Sequence, residues 1–387
     1  MILLDKPYVS NFLKQTIADQ QIPVIRTPQL EQFDLDESIA IYEPAAAIEK
    51  FKNGNMPLLY SNSENSINWI LNNLAFTNIP RQIIALKDKA AFRDLTKNLF
   101  PQFNYQAVDI HQLDTLDVDT LAMPFIIKPA LGFFSMGVYK VSGPDEWPRV
   151  QQAIRTEMQA VQTLYPTEVL DTTKFIIEDC IAGTEFAIDA YYNNEGRPVI
   201  VDIYQHLFAS DKDVSDRVYF TSKAIIEEYR EKMQRVLADI GQLASLRNFP
   251  VHAEVRIDDA GDILPIEINP MRFGGWCATD IAHHAYQINP YQTYFEQKEP
   301  NWDQILAAKG DEIYSLIVLD NSTNVAVPDI NAFDYEQLLM QFEKPLELRK
   351  IDYHEYPVFG FLFTETRFEN MAELEAILRS DLKDFIR

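Results

Sequence analysis

Two short runs, 251–257 alternating apolar and polar residues and 263–268 largely apolar, flank Asp258-Asp259-Ala260-Gly261-Asp262, a turn chemistry that reverses a chain. A hairpin is predicted there, and it fixes which side chains travel together. Residues two apart on a strand share a face, so His252, Glu254 and Arg256 point one way and Val251, Ala253 and Val255 the other. On the returning run Glu267 and Asn269 share a face opposite to that of Ile266 and Ile268. With residues 259–262 as the loop, Glu254 lies across from Glu267. Like charges directly opposite each other destabilise a sheet unless something compensates. A hard cation such as Mg²⁺ compensates, held by one or two carboxylates while phosphate oxygens and water complete its octahedron. Glu254, Glu267 and Asn269 are therefore candidate metal ligands; the alternative is a slipped register that leaves both glutamates at the solvent edge.

The rest of the chain gives this hairpin a mixed α/β setting. Short apolar runs at 2–4, 23–25, 39–42 and 57–60 alternate with helix-like segments at 8–20 and 64–74, which predicts a small parallel sheet. No G-x-G-x-x-G occurs in it, so a dinucleotide site on that sheet has no support. A helix at 89–99 leads into strands at 125–128, 138–141, 174–178, 185–192 and 198–205. Two long helices interrupt them, one at 145–164 bent or started late by Pro148, the other at 223–246 with a core stripe through Ile225, Ile226, Met233, Leu237 and Ile240. From about Asn289 a smaller α+β unit follows, with strands at 314–319 and 358–363 and helices at 335–342 and 372–385.

Composition narrows the function classes. The 387 residues carry a formal charge of −24, which repels phosphate backbones and anionic headgroups, so neither nucleic acid nor membrane is an expected partner. Cys180 and Cys277 are the only cysteines, too few for a disulfide framework and without zinc or redox spacing, which fits a reducing compartment. The opening residues are broken by Asp5 and form no signal-peptide core, and the apolar runs are strand-length; a cytoplasmic protein is expected.

Two further segments carry polar groups suited to a nucleotide. Lys128 to Val138 reads as a strand, a loop bracketed by Gly132 and Gly137, and another strand, where backbone N–H groups can converge on a phosphate. It fails as a Walker A loop, since Val138 and Tyr139 stand where Lys and Ser/Thr are needed, and Phe133 excludes a nucleophile elbow. A plain hairpin turn is the competing reading. Residues 175–186 are two strands joined at Ala182-Gly183, with Glu178, Asp179 and Glu185 placed to meet a ribose or to line an acidic solvated edge.

In order along the chain, these pieces resemble the ATP-grasp ligases over residues 87–275. The resemblance rests on Lys87-Asp88-Lys89, the KPxxGxxSxGV-like loop at 128–138, the E-x-x-I-x-G-x-E stretch from Glu178 to Glu185, and the E…E-x-N signature of Glu254, Glu267 and Asn269. It implies an ATP-grasp fold at 87–289, in subdomains of about 87–172 and 173–289, between a Rossmann-like pre-ATP-grasp domain at 1–86 and a small α+β domain at 290–387. It also implies that Lys89 and Lys128 contact ATP phosphates under a loop containing Ser135 and Gly137. Glu178, Asp179 and Ile181 would read the adenine, Glu185 the ribose, and Glu254, Glu267 and Asn269 would hold Mg²⁺ or Mn²⁺. The expected reaction is carboxylate–amine ligation through an acyl phosphate, with Arg256 and Arg272 either stabilising the developing oxyanion or forming structural salt bridges. Small-molecule carboxylate and amine substrates are the implied partners, and a homodimer stays open. A thiol acceptor, phosphotransfer and a silent ATP-binding regulator are the alternatives. Arg272 lies one place later than in the family's usual E-x-N-P-R, and Phe133 and Phe134 are bulkier than the family's loop residues. Lys212, Arg217 and Lys223 stand ready for an acidic substrate or are simply solvated.

Overall fold

The short apolar runs at the start of the chain form four two-residue strands in one parallel sheet, ordered Ile41–Tyr42, Val24–Ile25, Ile2–Leu3, Tyr60–Ser61. The computed structural model from which this is taken describes residues 1–53, 57–132, 137–161, 173–210, 213 and 215–387. The chain divides into two compact units, the first of residues 1–183, 190–199 and 235–277, the second of residues 184–189, 200–234 and 278–387.

In the first unit a second, antiparallel sheet follows the order Tyr105–Asp109, Lys174–Asp179, Phe125–Pro129, Tyr139–Val141. Its apolar face is covered by helix Trp147–Val161, which buries Trp147, Val150, Ile154 and Met158 against Phe125, Ile127, Val141, Phe175 and Ile177. Pro144 opens a single 3₁₀ turn, Pro144–Glu146, and the α-helix starts only after it, with Pro148 in its first turn where a missing N–H costs nothing. Asp88 ends helix Ile79–Lys87 and caps the next one, Lys89–Thr96, its Oδ1 accepting from the N–H groups of Ala90 (2.9 Å) and Ala91 (3.0 Å).

The third piece of this unit is the hairpin Phe249–Ile257 and Ile263–Pro270. Glu254 pairs with Glu267 and His252 with Asn269, as the alternation requires. The route to that register differs from the expected four-residue loop. Ile257 pairs with Ile263, so the loop is Asp258–Asp262, and a β-bulge at Ile266 restores the alignment, Val255 pairing with Pro265 and Glu254 with Glu267.

The second unit is built on antiparallel strands in the order Pro198–Leu207, Val218–Ser222, Glu312–Asp320, Val358–Arg367, Lys344–Lys350. Helix Ile281–Tyr286 lies against Glu312–Asp320 and is pinned by His284 Nε2 to Glu347 (3.0 Å). Arg217 is neither solvated nor free for an acidic ligand. It is buried, its Nε on Asp320 (2.6 Å), its Nη2 on Ser322 Oγ (2.8 Å) and its Nη1 on the carbonyl of Ser380 (3.1 Å). Lys223 lies 3.8 Å from Glu227, and Lys212 falls outside the described residues. Among the described residues no helix is long and apolar enough to cross a membrane.

Candidate active site

The segments singled out by sequence meet in a buried polar cluster of the first unit. Lys89 and Arg93 leave the same face of helix Lys89–Thr96, four residues apart. Lys128 comes from strand Phe125–Pro129, Glu178 from strand Lys174–Asp179, and Glu267 from the hairpin. Lys89 is 8 %, Arg93 3 %, Lys128 4 % and Glu178 3 % exposed, a depth at which charges persist only when paired.

They are paired. Lys89 Nζ sits 2.7 Å from Glu267 Oε2, and Asn269 Nδ2 donates to Glu267 Oε1 at 3.1 Å. Lys128 bonds to Glu178 Oε1, and Arg93 Nε donates to Glu178 Oε2 at 2.9 Å. Burial pushes the Glu267 carboxyl up, but Lys89 and Lys128 outweigh it and hold the group down to about 2. Burial likewise raises Glu178, and Lys128 and Arg93 bring it below the ordinary carboxylate value. The Lys128 ammonium is pushed down by burial, with Lys89 and Arg93 adding to that and Glu178 opposing it. The cluster thus pairs three cations, Lys89, Arg93 and Lys128, with two carboxylates, Glu178 and Glu267.

The remaining candidates divide. His252 Nε2 lies 3.7 Å from Glu254 Oε1, on the face that carries the paired glutamates. Arg256 reaches back to donate through Nη1 to the carbonyl of Ile181 (2.8 Å), bracing the link between strands Lys174–Asp179 and Thr184–Tyr192. Asp179 Oδ2 accepts from the backbone N–H (2.8 Å) and the side chain (2.9 Å) of Asn104. The N–H of Gly137, at φ +70°, donates to Glu157 Oε1 (3.0 Å). Ser135 falls outside the described residues. Glu185 belongs to the second unit, where its Oε1 meets His206 Nδ1 at 3.0 Å, the imidazole being stacked on Tyr219 with centroids 4.2 Å apart. Arg272 is held by Glu64, through Nη2 at 2.5 Å and Nε at 3.2 Å, and Lys87 binds the other oxygen of the same carboxylate.

Arg93 and Glu64 were not legible as site residues. A helix cation four places after another reads as a solvated face until its partners are known. Glu64 lies 208 residues from Arg272, and no local pattern links them.

Residues 121–280 match the family model described as the ATP-grasp domain. The whole chain also superposes on 97 % of an L-amino acid ligase from Bacillus licheniformis, at 16 % identity and a TM-score of 0.67. It covers 98 % of a carboxyaminoimidazole ribonucleotide synthase from Aspergillus clavatus complexed with ATP, again over 100 % of this chain, at 11 % identity and a TM-score of 0.62. For a biotin carboxylase domain from Hydrogenobacter thermophilus in complex with MgADP, 94 % of this chain and 85 % of that one align at 10 % identity and a TM-score of 0.63. Residues 121–280 thus match an ATP-grasp domain, and the chain as a whole has the ATP-grasp fold.

Proposed function

We propose that the protein is an ATP- and Mg²⁺-dependent carboxylate–amine ligase. The observation that carries the reading is the hairpin face on which Glu254 stands across from Glu267, with Asn269 alongside and the Lys89 ammonium already compensating Glu267. Two carboxylates and an amide are the hard oxygen donors a Mg²⁺ ion takes, and the face demands positive charge whatever supplies it. When bound there, the ion would neutralise charge on the transferring phosphoryl group.

The chain's own residues do the rest. Lys89 and Lys128 are set to exchange their carboxylate partners for ATP phosphates, and Glu178 and Ile181 to line the adenine. A substrate carboxylate oxygen attacks the γ-phosphorus, the bond to the β-phosphate oxygen breaks, and ADP leaves. The amine then adds to the acyl carbon, loses its proton, and expels phosphate as the amide forms. Arg256 and Arg272 are the cations proposed to act on the oxyanion of that second step, with Arg272 oriented by Glu64. No side-chain nucleophile is required, and the similarity to an L-amino acid ligase favours an amine acceptor.

³¹P NMR of the protein with Mg²⁺-ATP and pooled carboxylic acids, with and without pooled amines, tests the reading. ADP and phosphate appearing only with both pools are expected; AMP and pyrophosphate, or a phosphorylated product that persists, would overturn it. Glu267→Ala should lower that turnover by on the order of 100-fold or more while the fold is kept. Full turnover in this variant would remove the metal assignment.

A further inference from the structure

The glutamate pair depends on one irregular feature. With Ile257 paired to Ile263, an uninterrupted ladder would set Glu254 opposite Ile266 and turn Glu267 to the other face. The bulge at Ile266 prevents this, and a bulge leaves backbone groups outside the ladder that need partners of their own. Arg93 supplies them. Its Nη1 donates to the carbonyl of Pro265 at 2.6 Å and its Nη2 to the carbonyl of Ile266 at 3.3 Å, while its Nε is on Glu178. The guanidinium carbon lies 4.4 Å from the centre of the Phe103 ring, which leaves the fork little freedom to turn.

We propose that Arg93 is a positioning residue that fixes the bulge, and through it the metal-ligand register, while joining that register to the Glu178 strand on the nucleotide side. It touches neither metal nor nucleotide in this role. The three donors leave one planar group in directions that match a carboxylate on one edge and two successive carbonyls on the other. A lysine keeps the charge beside Glu178 but, as a point donor, cannot hold both bulge carbonyls. The inference rests on the ligase reading only in taking Glu254, Glu267 and Asn269 as the ligands.

The test is Mn²⁺ binding followed by the EPR signal of the free ion, with ADP present, alongside calorimetry of ADP without metal. Arg93→Lys should weaken Mn²⁺ binding roughly 10- to 100-fold, the range seen when an outer-shell partner of a metal site is lost, and by a clearly larger factor than any loss of metal-free ADP binding. Should the lysine variant not fold, Arg93→Ala supplies a second arm: ethylguanidinium should restore Mn²⁺ affinity and ethylammonium should not. Wild-type Mn²⁺ affinity in Arg93→Lys, equal losses of Mn²⁺ and ADP, or equal rescue by both amines would overturn the role. If Glu267→Ala binds Mn²⁺ as well as the wild type, the ligand assignment itself falls, an outcome separable from a failure of Arg93 alone.

Discussion

Asp202 has one carboxylate oxygen that nothing around it answers. Fully buried on strand Pro198–Leu207, it accepts at Oδ1 from the Ile203 N–H (2.7 Å) and Thr221 Oγ1 (2.9 Å), and Oδ2 has no partner. Burial pushes its carboxyl well above the usual range, nearby Asp189 pushes the same way, and the Thr221 and Ile203 bonds offset only part. Below the unfolded value both states hold the proton and no penalty arises. Above it the unfolded chain releases the proton first, so stability falls with rising pH, by at most ~1.4 kcal/mol per unit, until the folded group ionises too. Asp202→Asn keeps the Oδ1 acceptor and abolishes this slope. Its melting temperature is expected to exceed that of the wild type more at pH 8 than at pH 4.5; an equal difference at both would refute the assignment. None of this is visible in sequence, where an aspartate among valines and isoleucines gives no sign of what faces it. Arg217 teaches the same lesson in reverse: in sequence it is one cation in a polar stretch, and only its four acceptors make it structural.

At the scale of elements, alternation was enough to place Glu254 opposite Glu267, but not to locate the bulge that achieves it. Bulges depend on partners such as Arg93 that lie far away in sequence. Three strands went unread, Val218–Ser222 inside its sheet and Tyr105–Asp109 and Lys344–Lys350, which are sheet-edge strands. The edge sequences YQAVD and KPLELRK lack a continuous apolar face, as suits edges that must not pair with other chains. Glycines were read for turns, yet Gly183 serves a closer need. At φ +104°, a Cβ there would stand 2.1 Å from the carbonyl oxygen of Ile257, so the backbones of the linker and the hairpin touch only because no side chain intervenes. Gly183→Ala is expected to lower stability by at least ~2 kcal/mol in urea denaturation. Gly261→Ala is the control: φ is +85° but nothing lies within 4 Å, so only the backbone preference is lost, about 1 kcal/mol. Equal costs for the two would mean that the close approach does not matter.

Over the whole molecule the charge of −24 is a distributed self-repulsion that the folded state concentrates. Raising salt from about 20 to 200 mM shortens the screening length from ~20 to ~7 Å, so the melting temperature is expected to rise across that range; a fall would mean that screened ion pairs outweigh the repulsion. The general plan, a small parallel sheet followed by further strands and helices, was legible because period-two and period-3.6 patterns are local. The division into two units was not, because it follows which segments return to each other. The chain passes between the units after residues 183, 189, 199, 234 and 277. On the ribosome, the Lys89 ammonium therefore emerges long before Glu267, the carboxylate it meets in the folded protein, and the first unit stays unfinished until residue 277 has cleared the exit tunnel. Neither unit is one continuous segment, and a nascent chain stalled before the hairpin has Arg93 and Lys128 already supplied with Glu178 but the Lys89 ammonium still waiting for its counter-charge.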